Sequence, residues 1–522
     1  MKMFVQQHAK DVTGVLSGFD RLVLRGTVRQ LAYVDGMRMY LAIVGVLLKD
    51  FGRHVQEVST RVKESVMAWV TEHGRPIIYL PSSGERKDLR ARALAAADGI
   101  QEGPIGLFTC VEPCVSFDIH RNREQKRLEL VRRWRKCLFL YLYQIHPVVG
   151  FMHVRMQSWF PFGIQVYLNG REWLARELDR RSLSYQRREN CFTWLADPAG
   201  AQRLMEAQLR IAWPRLLDSL IREVHPLCQG LLSPYEAHYY WTVHQSEWAS
   251  DVLFRSRDAL SRLYPRLVEH GLRTFGSDDV MRFLGRKVPV QGRIDPRFQG
   301  EVVSDLKGRP EGIRIKHRVN GNSIKLYDKQ GNVLRFETTL NQPGDLKVFR
   351  PKEGGARTAR AWRPLRRGVA DLHRRAAVSQ AANDRYAEAL AAVGAPQRLG
   401  DLTERLCQPA KLEGRRVRGL RPWADDDLAL LRAVGRGEFL INGLRNRDLA
   451  KLLYPTAPAS LPEQRRRSAR ISRLLRLLRA HRILKKVPKT HRYQVTDSGR
   501  RAIAALLAAH AATTDPLTGM AA

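Results

Sequence analysis

Acidic residues are scarce in this chain of 522 residues, which has 52 Asp and Glu against 89 Lys and Arg and a net charge of +37. This excess is too large for one binding patch, so most of the surface is expected to present a positive field to polyanions. Long apolar runs, a signal peptide and a lipidation motif are also missing, which argues against a membrane as that polyanion. The absences predict a soluble, cytoplasmic protein whose partner is nucleic acid.

The six cysteines lack the paired CxxC spacing of a zinc ribbon and suggest no disulfide framework. Cys110 and Cys114 are followed by Asp118 and His120, so a metal site is one alternative; we favour buried, reduced thiols on strands. The sequence contains no Walker lysine loop, which argues against an ATP-driven motor. A glycine-rich dinucleotide fingerprint is absent as well.

The hydrophobic periodicity predicts an α+β, multidomain protein with five segments. Residues 1–170 are expected to form an α+β domain with a mixed or antiparallel, meandering sheet and helices. A helical region is predicted over 171–285 and a small, basic β-meander over 286–350. A basic helical and linker region is predicted over 351–420, and a winged helix-turn-helix over 421–512.

Aromatic residues and histidines are concentrated in the middle of the first 285 residues. Aromatic rings beside arginines can stack on bases, but alternating aromatics on strands usually point inward, so we favour a core role. Four of the histidines offer a metal site as a minority alternative, although no spacing requires one. The residues concerned are Tyr141, Tyr143, His146, His153, Trp159, Phe160, Phe162, His238, Tyr239, Tyr240, Trp241, His244 and Trp248.

Two tight turns, Asn320-Gly321 and Gln330-Gly331, separate three strand-like runs between Ile313 and Leu340. Asn-Gly is a strong hairpin signal. Alternation puts apolar residues on one face, and the other face is expected to be a cationic platform that binds phosphates. That face carries Arg314, Lys316, Arg318, Lys325, Lys329 and Arg335 around Tyr327 and Glu337.

The phrases Ile324–Lys329 and Leu334–Thr338 are similar to phrases in rolling-circle replication initiators of phages and plasmids. In that family a tyrosine attacks a DNA phosphate with the help of a metal held by two histidines. The resemblance implies that Tyr327 is a nucleophile beside Lys325 or Lys329 and that Glu337 holds a divalent cation. The chain lacks the His-hydrophobic-His triplet of that family. We therefore favour a phosphate-binding platform without chemistry.

Carboxylates on or beside predicted strands suggest a different route to phosphodiester cleavage, because two-metal phosphodiesterases hold their ions at strand ends. The candidates are Asp20, Glu112 and Asp118. Asp118 is the strongest of them, because it or the nearby His120 can act as a metal ligand or a general base. A nuclease of this kind would need Mg²⁺ or Mn²⁺; the sequence implies no other cofactor. Asp20 is equally well explained as an ion-pair partner of Arg21.

The C-terminal part of the chain is strongly basic, with 23 Lys and Arg against 8 Asp and Glu between Lys411 and Arg500. Three aspartates at 425–427 predict a helix start, and Asn446 predicts a second helix that Pro455 ends. A third helix is predicted from about Glu463 to Ala480. It combines arginines with an apolar stripe formed by Ile471, Leu474, Leu475 and Leu478.

The run Asn446–Ala450, the basic third helix and Arg492–Thr496 before Gly499 resemble winged helix-turn-helix regulators of the multiple-antibiotic-resistance type. The match covers under a fifth of the chain. In that family the third helix enters the major groove and the wing contacts the backbone or minor groove. The resemblance implies nucleic-acid contacts by Arg466, Arg467, Arg470 and Arg473 of the helix and by Lys489, His491 and Arg492 of the wing. The alternative is a basic helical domain that binds a protein partner.

Three functional hypotheses follow. The favoured one is a DNA-binding protein with a role in mobile DNA or replication. The second is a metal-dependent nuclease, nickase or transposase-like enzyme, and the third is an RNA-binding component of a ribonucleoprotein. The regulators that the C-terminal segment resembles are small dimers, so a homo-oligomer stays open.

Overall fold

The fold is described from a computed structural model over residues 1–286, 300–309, 312–352, 354–355, 358–391, 399–436, 439, 443–488 and 490–512. Its strands, in chain order, are β1 Val12–Val28, β2 Ile77–Tyr79, β3 Gly103–Asn122, β4 Arg127–His146, β5 Gly150–Gln157, β6 Ile164–Asn169, β7 Tyr185–Arg188, β8 Cys191–Leu195, β9 Tyr239–Phe254, β10 Val302–Arg309, β11 Gly312–Val319, β12 Asn322–Lys329, β13 Val333–Leu340, β14 Lys347–Pro351, β15 Arg360–Pro364, β16 Ala410–Leu412, β17 Arg415–Val417, β18 Leu484–Lys486 and β19 Tyr493–Val495.

The helices are α1 Lys2–Gln7, α2 Val34–Ile43, α3 Phe51–Glu72, α4 Lys87–Ala97, α5 Gly170–Asp179, α6 Pro198–Ala207, α7 Trp213–Arg222, α8 Arg257–Arg273, α9 Ser277–Phe283, α10 Leu372–Leu390, α11 Leu399–Cys407, α12 Asp425–Val434, α13 Asn446–Leu453, α14 Leu461–Ala480 and α15 Asp497–Ala511. Several begin at a side-chain cap: Asn169 caps α5, Ser256 caps α8, Ser460 caps α14 and Thr496 caps α15.

The chain folds as two compact units. Unit 1 comprises Met1–Thr13, Phe254–Phe336 and Ala381–Ala522, and unit 2 comprises Gly14–Leu253 and Glu337–Gln380. In unit 2 the strands lie in the order β9-β1-β6-β5-β4-β3-β2, with the last residues of β13 beside β9. In unit 1 the order is β10-β11-β12-β13. The pair β2–β3 is parallel and the pairs from β3 to β6 are antiparallel, so the sheet is mixed.

The expected α+β, multidomain class with a mixed N-terminal sheet is confirmed. The β-meander is also confirmed, because β11, β12 and β13 match the three predicted runs within one residue at each end. Asn320, Gln330 and Gly331 have positive φ values of 52°, 59° and 79°, as tight hairpin turns require. The register pairs Ile315 with Leu326 and Lys316 with Lys325, so alternation sorts these two strands as the sequence predicts.

The helical interpretation of residues 171–285 is wrong for a central part of that range. Tyr239–Phe254 forms the long strand β9, and β7 and β8 form a hairpin. From Ser246 onward every residue of β9 is buried, so both faces of this strand are covered and the alternation that identifies a half-exposed strand is lost.

Separate hydrophobic clusters form the core. In unit 2, α2 and α3 pack with Phe117 and Leu130 of the long β3–β4 hairpin, and the aromatic residues Tyr141, Tyr143, Phe160 and Phe162 are buried, as the core interpretation predicts. In unit 1, the predicted stripe of α14 packs on a cluster built from α11 to α15, β18 and β19. Within the described residues, the structure contains no helix that is both long and apolar enough to cross a membrane.

Candidate functional site

Three buried carboxylates converge in unit 2. Asp20 lies on β1, Glu247 on β9 and Glu337 on β13, three strands that are adjacent in the order β13-β9-β1. One carboxylate oxygen from each residue lies within 4.8 Å of one from each of the others. The residues are 2%, 8% and 4% exposed, respectively. We call this group the carboxylate cluster.

Two asparagines fix the position of Asp20. Asn169 Nδ2 donates to Asp20 Oδ1 at 3.2 Å, and Asn190 Nδ2 donates to Asp20 Oδ2 at 2.6 Å. The Asn169 amide is itself oriented, because its Oδ1 accepts the backbone N–H of Arg171 at 2.7 Å and caps α5. Asn169 also pairs with Arg21 across the β1–β6 register. The helix cap therefore holds the amide that positions the carboxylate.

Arg21 supplies positive charge beside the carboxylate cluster. Its Nε lies 3.6 Å from Glu247 Oε2, and its guanidinium lies 5.4 Å from the centre of the Tyr167 ring. Burial disfavours the charged form of Arg21, but the nearby Glu247, Tyr167, Asp20 and Glu337 outweigh burial and raise its pKa. Burial raises the pKa of Tyr167 to about 12, against the opposing effect of Arg21. Tyr167 is therefore a neutral phenol at ordinary pH.

The chemistry of the carboxylate cluster suits a hard divalent cation. Ionised carboxylates this close repel one another, and burial makes their repulsion stronger than it would be in water. Mg²⁺, Mn²⁺ and Ca²⁺ prefer oxygen ligands, and carboxylates are the side chains that most often supply them. Such a cation would offset the repulsion while Asn169 and Asn190 keep Asp20 in place.

Arginines of unit 2 lie near one another on β1, β5 and β4. Arg25 of β1 lies opposite Gln165 of β6, which in turn lies opposite Arg155 of β5. Burial, and then the positive charges of Arg155, Arg132 and Arg367, lower the pKa of Arg25. An anion stabilises arginines that repel one another. The surroundings of Arg25 therefore suit a phosphate group.

Asp118 and His120 do not join the carboxylate cluster. Asp118 is half-buried near the outer end of β3, where its Oδ2 lies 2.9 Å from Arg135 Nη1 and 3.7 Å from Arg133 Nη1. Its Oδ1 accepts the backbone N–H of Ile119 at 2.9 Å. His120 is exposed. The contacts of Asp118 are those of an ion-pair partner of arginines.

Glu112 also belongs to a separate network, with cationic and phenolic partners. Its Oε1 accepts from Tyr141 Oη at 2.6 Å, and its Oε2 lies 2.7 Å from Arg155 Nη2. Lys87 Nζ lies 3.7 Å from Oε1. Burial opposes ionisation of Glu112, but these hydrogen bonds and charges outweigh it and lower the pKa. The negative charge of Glu112 is thus already balanced by the positive charges of Arg155 and Lys87.

The structure also locates cysteines and histidines that the sequence suggests as metal ligands. Cys110 and Cys114 are buried free thiols on β3, as favoured from the sequence. His153 stacks on Tyr167 with ring centres 4.8 Å apart, and burial lowers its pKa to about 3. His146 and His153 are not opposite each other, because their cross-strand partners are Gly150 and Tyr143.

The basic face of the β-meander is mostly buried, so the expectation of an open cationic platform is wrong. Lys325, Lys329 and Arg335 are 8%, 6% and 0% exposed. Lys316 is partly exposed, and burial, followed by Lys325 and Arg314, lowers its pKa. Arg318 is exposed and pairs with Glu301 at 3.1 Å. Alternation identified the two faces but could not show that both are covered.

Tyr327 and Glu337, which the rolling-circle resemblance joins, belong to different units. Tyr327 lies on β12 in unit 1, is 9% exposed, and has Lys329 Nζ 6.0 Å from its ring centre. Glu337 belongs to the part of β13 assigned to unit 2. The role of Tyr327 as a nucleophile stays a prediction. Glu337 as a cation ligand also stays a prediction, and the structure places two further carboxylates, those of Asp20 and Glu247, beside it.

The arginines of α14 are largely exposed, and their contacts with nucleic acid stay a prediction. Arg466, Arg470 and Arg473 are exposed, and Arg470 pairs with Asp426 at 3.1 Å. Arg467 is partly buried, with its Nε 3.0 Å from Glu463 Oε1 and its guanidinium 4.9 Å from the Tyr454 ring centre. His491 is exposed and Arg492 partly exposed, while Lys489 lies outside the described residues.

Glu247 is the functional candidate that sequence reasoning missed. The sequence predicts a helical region over 171–285, and a helix there does not place Glu247 beside Asp20 and Glu337. The signal that could have found it is the run of β-branched and aromatic residues from Tyr239 to Phe254. No family model, curated protein or solved structure matches this chain.

Proposed function

We propose that this protein processes nucleic acid by divalent-cation-dependent phosphodiester cleavage or strand transfer. The observation that carries the proposal is the convergence of Asp20, Glu247 and Glu337 on three adjacent strands. A cation held there would polarise a phosphate and activate a water or hydroxyl group. Asn169 and Asn190 orient Asp20, while Arg21 adds a positive charge next to the ligands.

The substrate is inferred from charge. The net charge of +37 attracts polyanions over most of the surface, and Arg25 with its arginine neighbours offers a place for backbone phosphates. Nucleic acid is the polyanion whose chemistry matches a cation-dependent phosphodiesterase. We favour DNA, with a role in mobile DNA or replication in the cytoplasm, and RNA is the alternative substrate.

The C-terminal part of unit 1 is proposed as the element that selects the nucleic acid. The order α12, α13, α14, β18, β19, α15, and the exposed arginines of α14, support the winged helix-turn-helix interpretation. In this arrangement α14 would contact the major groove and the β18–β19 hairpin the backbone. Unit 2 would supply the chemistry.

The test is cleavage of nucleic acid by the full-length protein. Single-stranded DNA, duplex DNA and RNA are incubated with Mg²⁺, with Mn²⁺ and with EDTA. We expect cleavage or strand transfer of one of these substrates with either cation and none with EDTA. Asp20→Asn, Glu247→Gln and Glu337→Gln should each reduce the rate by at least about 100-fold, because each removes a charged cation ligand.

Glu223→Gln is the matched control, because it removes an exposed carboxylate of unit 2 outside both the carboxylate cluster and residues 113–136. Its cleavage rate should stay within about 3-fold of the parent rate. If Glu223→Gln abolishes cleavage while Glu247→Gln does not, the site is misassigned. If no substrate is altered under any condition, the proposed chemistry is contradicted.

A further inference from the structure

The outer part of the β3–β4 hairpin extends beyond the sheet of unit 2. In the pairing of the described residues, β2 reaches β3 at Leu107–Thr109 and β5 reaches β4 from Phe139 inward. Between those points and the tip, β3 and β4 pair with each other, from Pro113–Lys136 to Asn122–Arg127. We call residues 113–136 the ribbon. Phe117 and Leu130 anchor it to the core cluster that contains α2 and α3.

The ribbon carries an unusual run of exposed residues. Arg132, Arg133, Trp134, Arg135 and Lys136 are all exposed, so neither face of β4 is covered there. Trp134 is 74% exposed, the largest exposed fraction of the large apolar side chains among the described residues. A single exposed apolar residue is common on protein surfaces. The charges around Trp134 distinguish it from such a residue.

Alternation divides these charges between the two faces of the ribbon. Arg133 and Arg135 share one face and both lie near Asp118 Oδ2, at 3.7 and 2.9 Å. Arg132 and Lys136 are two residues before and after Trp134 and therefore lie on its face. In the described part of the chain, no carboxylate forms an ion pair with Arg132 or Lys136. Trp134 is thus flanked by two cations that are available to a ligand.

The composition of the ribbon matches a polyanion along its length. Residues 118–136 contain eight Lys and Arg against three Asp and Glu. Proteins that bind single strands combine cations that follow the phosphates with aromatic rings that stack on bases. In a duplex the faces of the bases are covered by their neighbours, so an indole ring has no free base face to stack on.

We propose that the ribbon binds single-stranded nucleic acid, with Trp134 stacking on an unpaired base and Arg132 and Lys136 contacting the flanking phosphates. The inference rests on the proposed function, because it names the form of nucleic acid that unit 2 engages. It adds a contact site that is separate from the carboxylate cluster and from α14.

The test measures binding in EDTA, so that cleavage cannot contribute. Fluorescence anisotropy follows full-length protein binding to labelled oligo(dT), oligo(rU) and a DNA duplex of equal length. Trp134→Ala should weaken binding to a single strand by about 5- to 150-fold, the range of one base stacking on an aromatic ring, and should change duplex binding by less than about 2-fold. Trp134→Phe should retain most of the affinity, because phenylalanine also presents an aromatic face. Comparing oligo(dT) with oligo(rU) then identifies DNA or RNA as the preferred strand.

A second pair of variants tests the phosphate contacts and the position. Arg132→Ala with Lys136→Ala should lower the slope of log affinity against log salt by about 1.4, because each phosphate contact to a single strand contributes about 0.7. Trp194→Ala, at a tryptophan of unit 2 that is 44% exposed, should bind like the parent. Circular dichroism confirms that each variant is folded.

Two outcomes would overturn the inference. These are single-strand binding by Trp134→Ala within 2-fold of the parent, or an equal loss of affinity for the duplex. The failure of the proposed function is distinguishable: if no cleavage occurs with Mg²⁺ or Mn²⁺ but Trp134→Ala still weakens single-strand binding in EDTA, the ribbon assignment stands and the proposed chemistry fails.

Discussion

Buried carboxylates in unit 2 are stabilised in different ways, and the difference separates structural residues from site residues. Asp251 pairs with Arg171 at 3.0 Å, and both side chains are fully buried. Glu112 is held by Tyr141, Arg155 and Lys87. The carboxylate cluster instead brings three acidic side chains together, and no local sequence pattern distinguishes its members from Glu112 or Asp251. Asp251 and Glu112 thus lie beside cationic protein groups, whereas a group of carboxylates suits a cation.

The Asp251–Arg171 pair leads to a prediction about stability. Asp251→Ala should lower the free energy of unfolding by about 3–5 kcal/mol, because it removes the carboxylate that lies beside a fully buried arginine. Urea unfolding monitored by tryptophan fluorescence measures the change. A decrease of less than about 1 kcal/mol would mean that Arg171 finds other partners or water.

His153 leads to a prediction about pH. Burial lowers its folded pKa to about 3, whereas the unfolded value is near 6.5. Between these values the unfolded chain binds a proton that the folded chain does not, so stability present above pH 6.5 is lost as the pH falls. His153→Phe, which keeps a ring against Tyr167, should flatten the dependence by about 1.4 kcal/mol per pH unit between pH 6 and 4.5. The parent, His153→Phe and the control His238→Asn, at a side chain that is 85% exposed, are compared by urea unfolding at each pH. Parallel curves for all three proteins would refute the prediction.

Elements with a strong local signal could be predicted from the sequence, and elements defined by burial could not. The β-meander was predictable because Asn320-Gly321 fixes a turn and the flanking strands alternate. The apolar stripe of α14 was predictable because Ile471, Leu475 and Leu478 follow helical spacing and pack on one core. The strand β9 was missed because its second half is buried on both faces. The burial of Lys325 and Lys329 was missed because alternation identifies faces but not what covers them.

At the scale of one element, the proposed role of α14 predicts how salt affects DNA binding. Arg470→Ala with Arg473→Ala should weaken DNA binding and reduce the slope of log affinity against log salt by about 1.8, since each phosphate contact to duplex DNA contributes about 0.9. Filter binding at several salt concentrations measures the slope. The control is Arg262→Ala with Arg273→Ala, which removes two exposed arginines from α8. Equal slopes for the two double variants would remove α14 from the interface.

At the scale of the whole molecule, the candidate site depends on residues that are far apart in the chain. Asp20 and Glu247 are separated by more than 200 residues, and Glu337 follows after a further 90. The sequence suggests Asp20 as a strand carboxylate and Glu337 through the rolling-circle resemblance, and it gives no sign that Glu247 lies beside them. Strand order brings the three together, and strand order is set by long-range pairing that no local pattern encodes. The excess of basic residues, in contrast, is evident from composition alone.

The most direct test of the account is Mn²⁺ binding measured by the electron paramagnetic resonance signal of the free ion, in the absence of nucleic acid. The parent protein and Asp118→Asn should remove Mn²⁺ from solution with equal affinity, and Glu247→Gln should bind it at least about 10-fold more weakly, because one of three charged ligands becomes a neutral amide. Equal binding by the parent and Glu247→Gln, or no binding by the parent, would contradict the assignment of Asp20, Glu247 and Glu337 as a cation site.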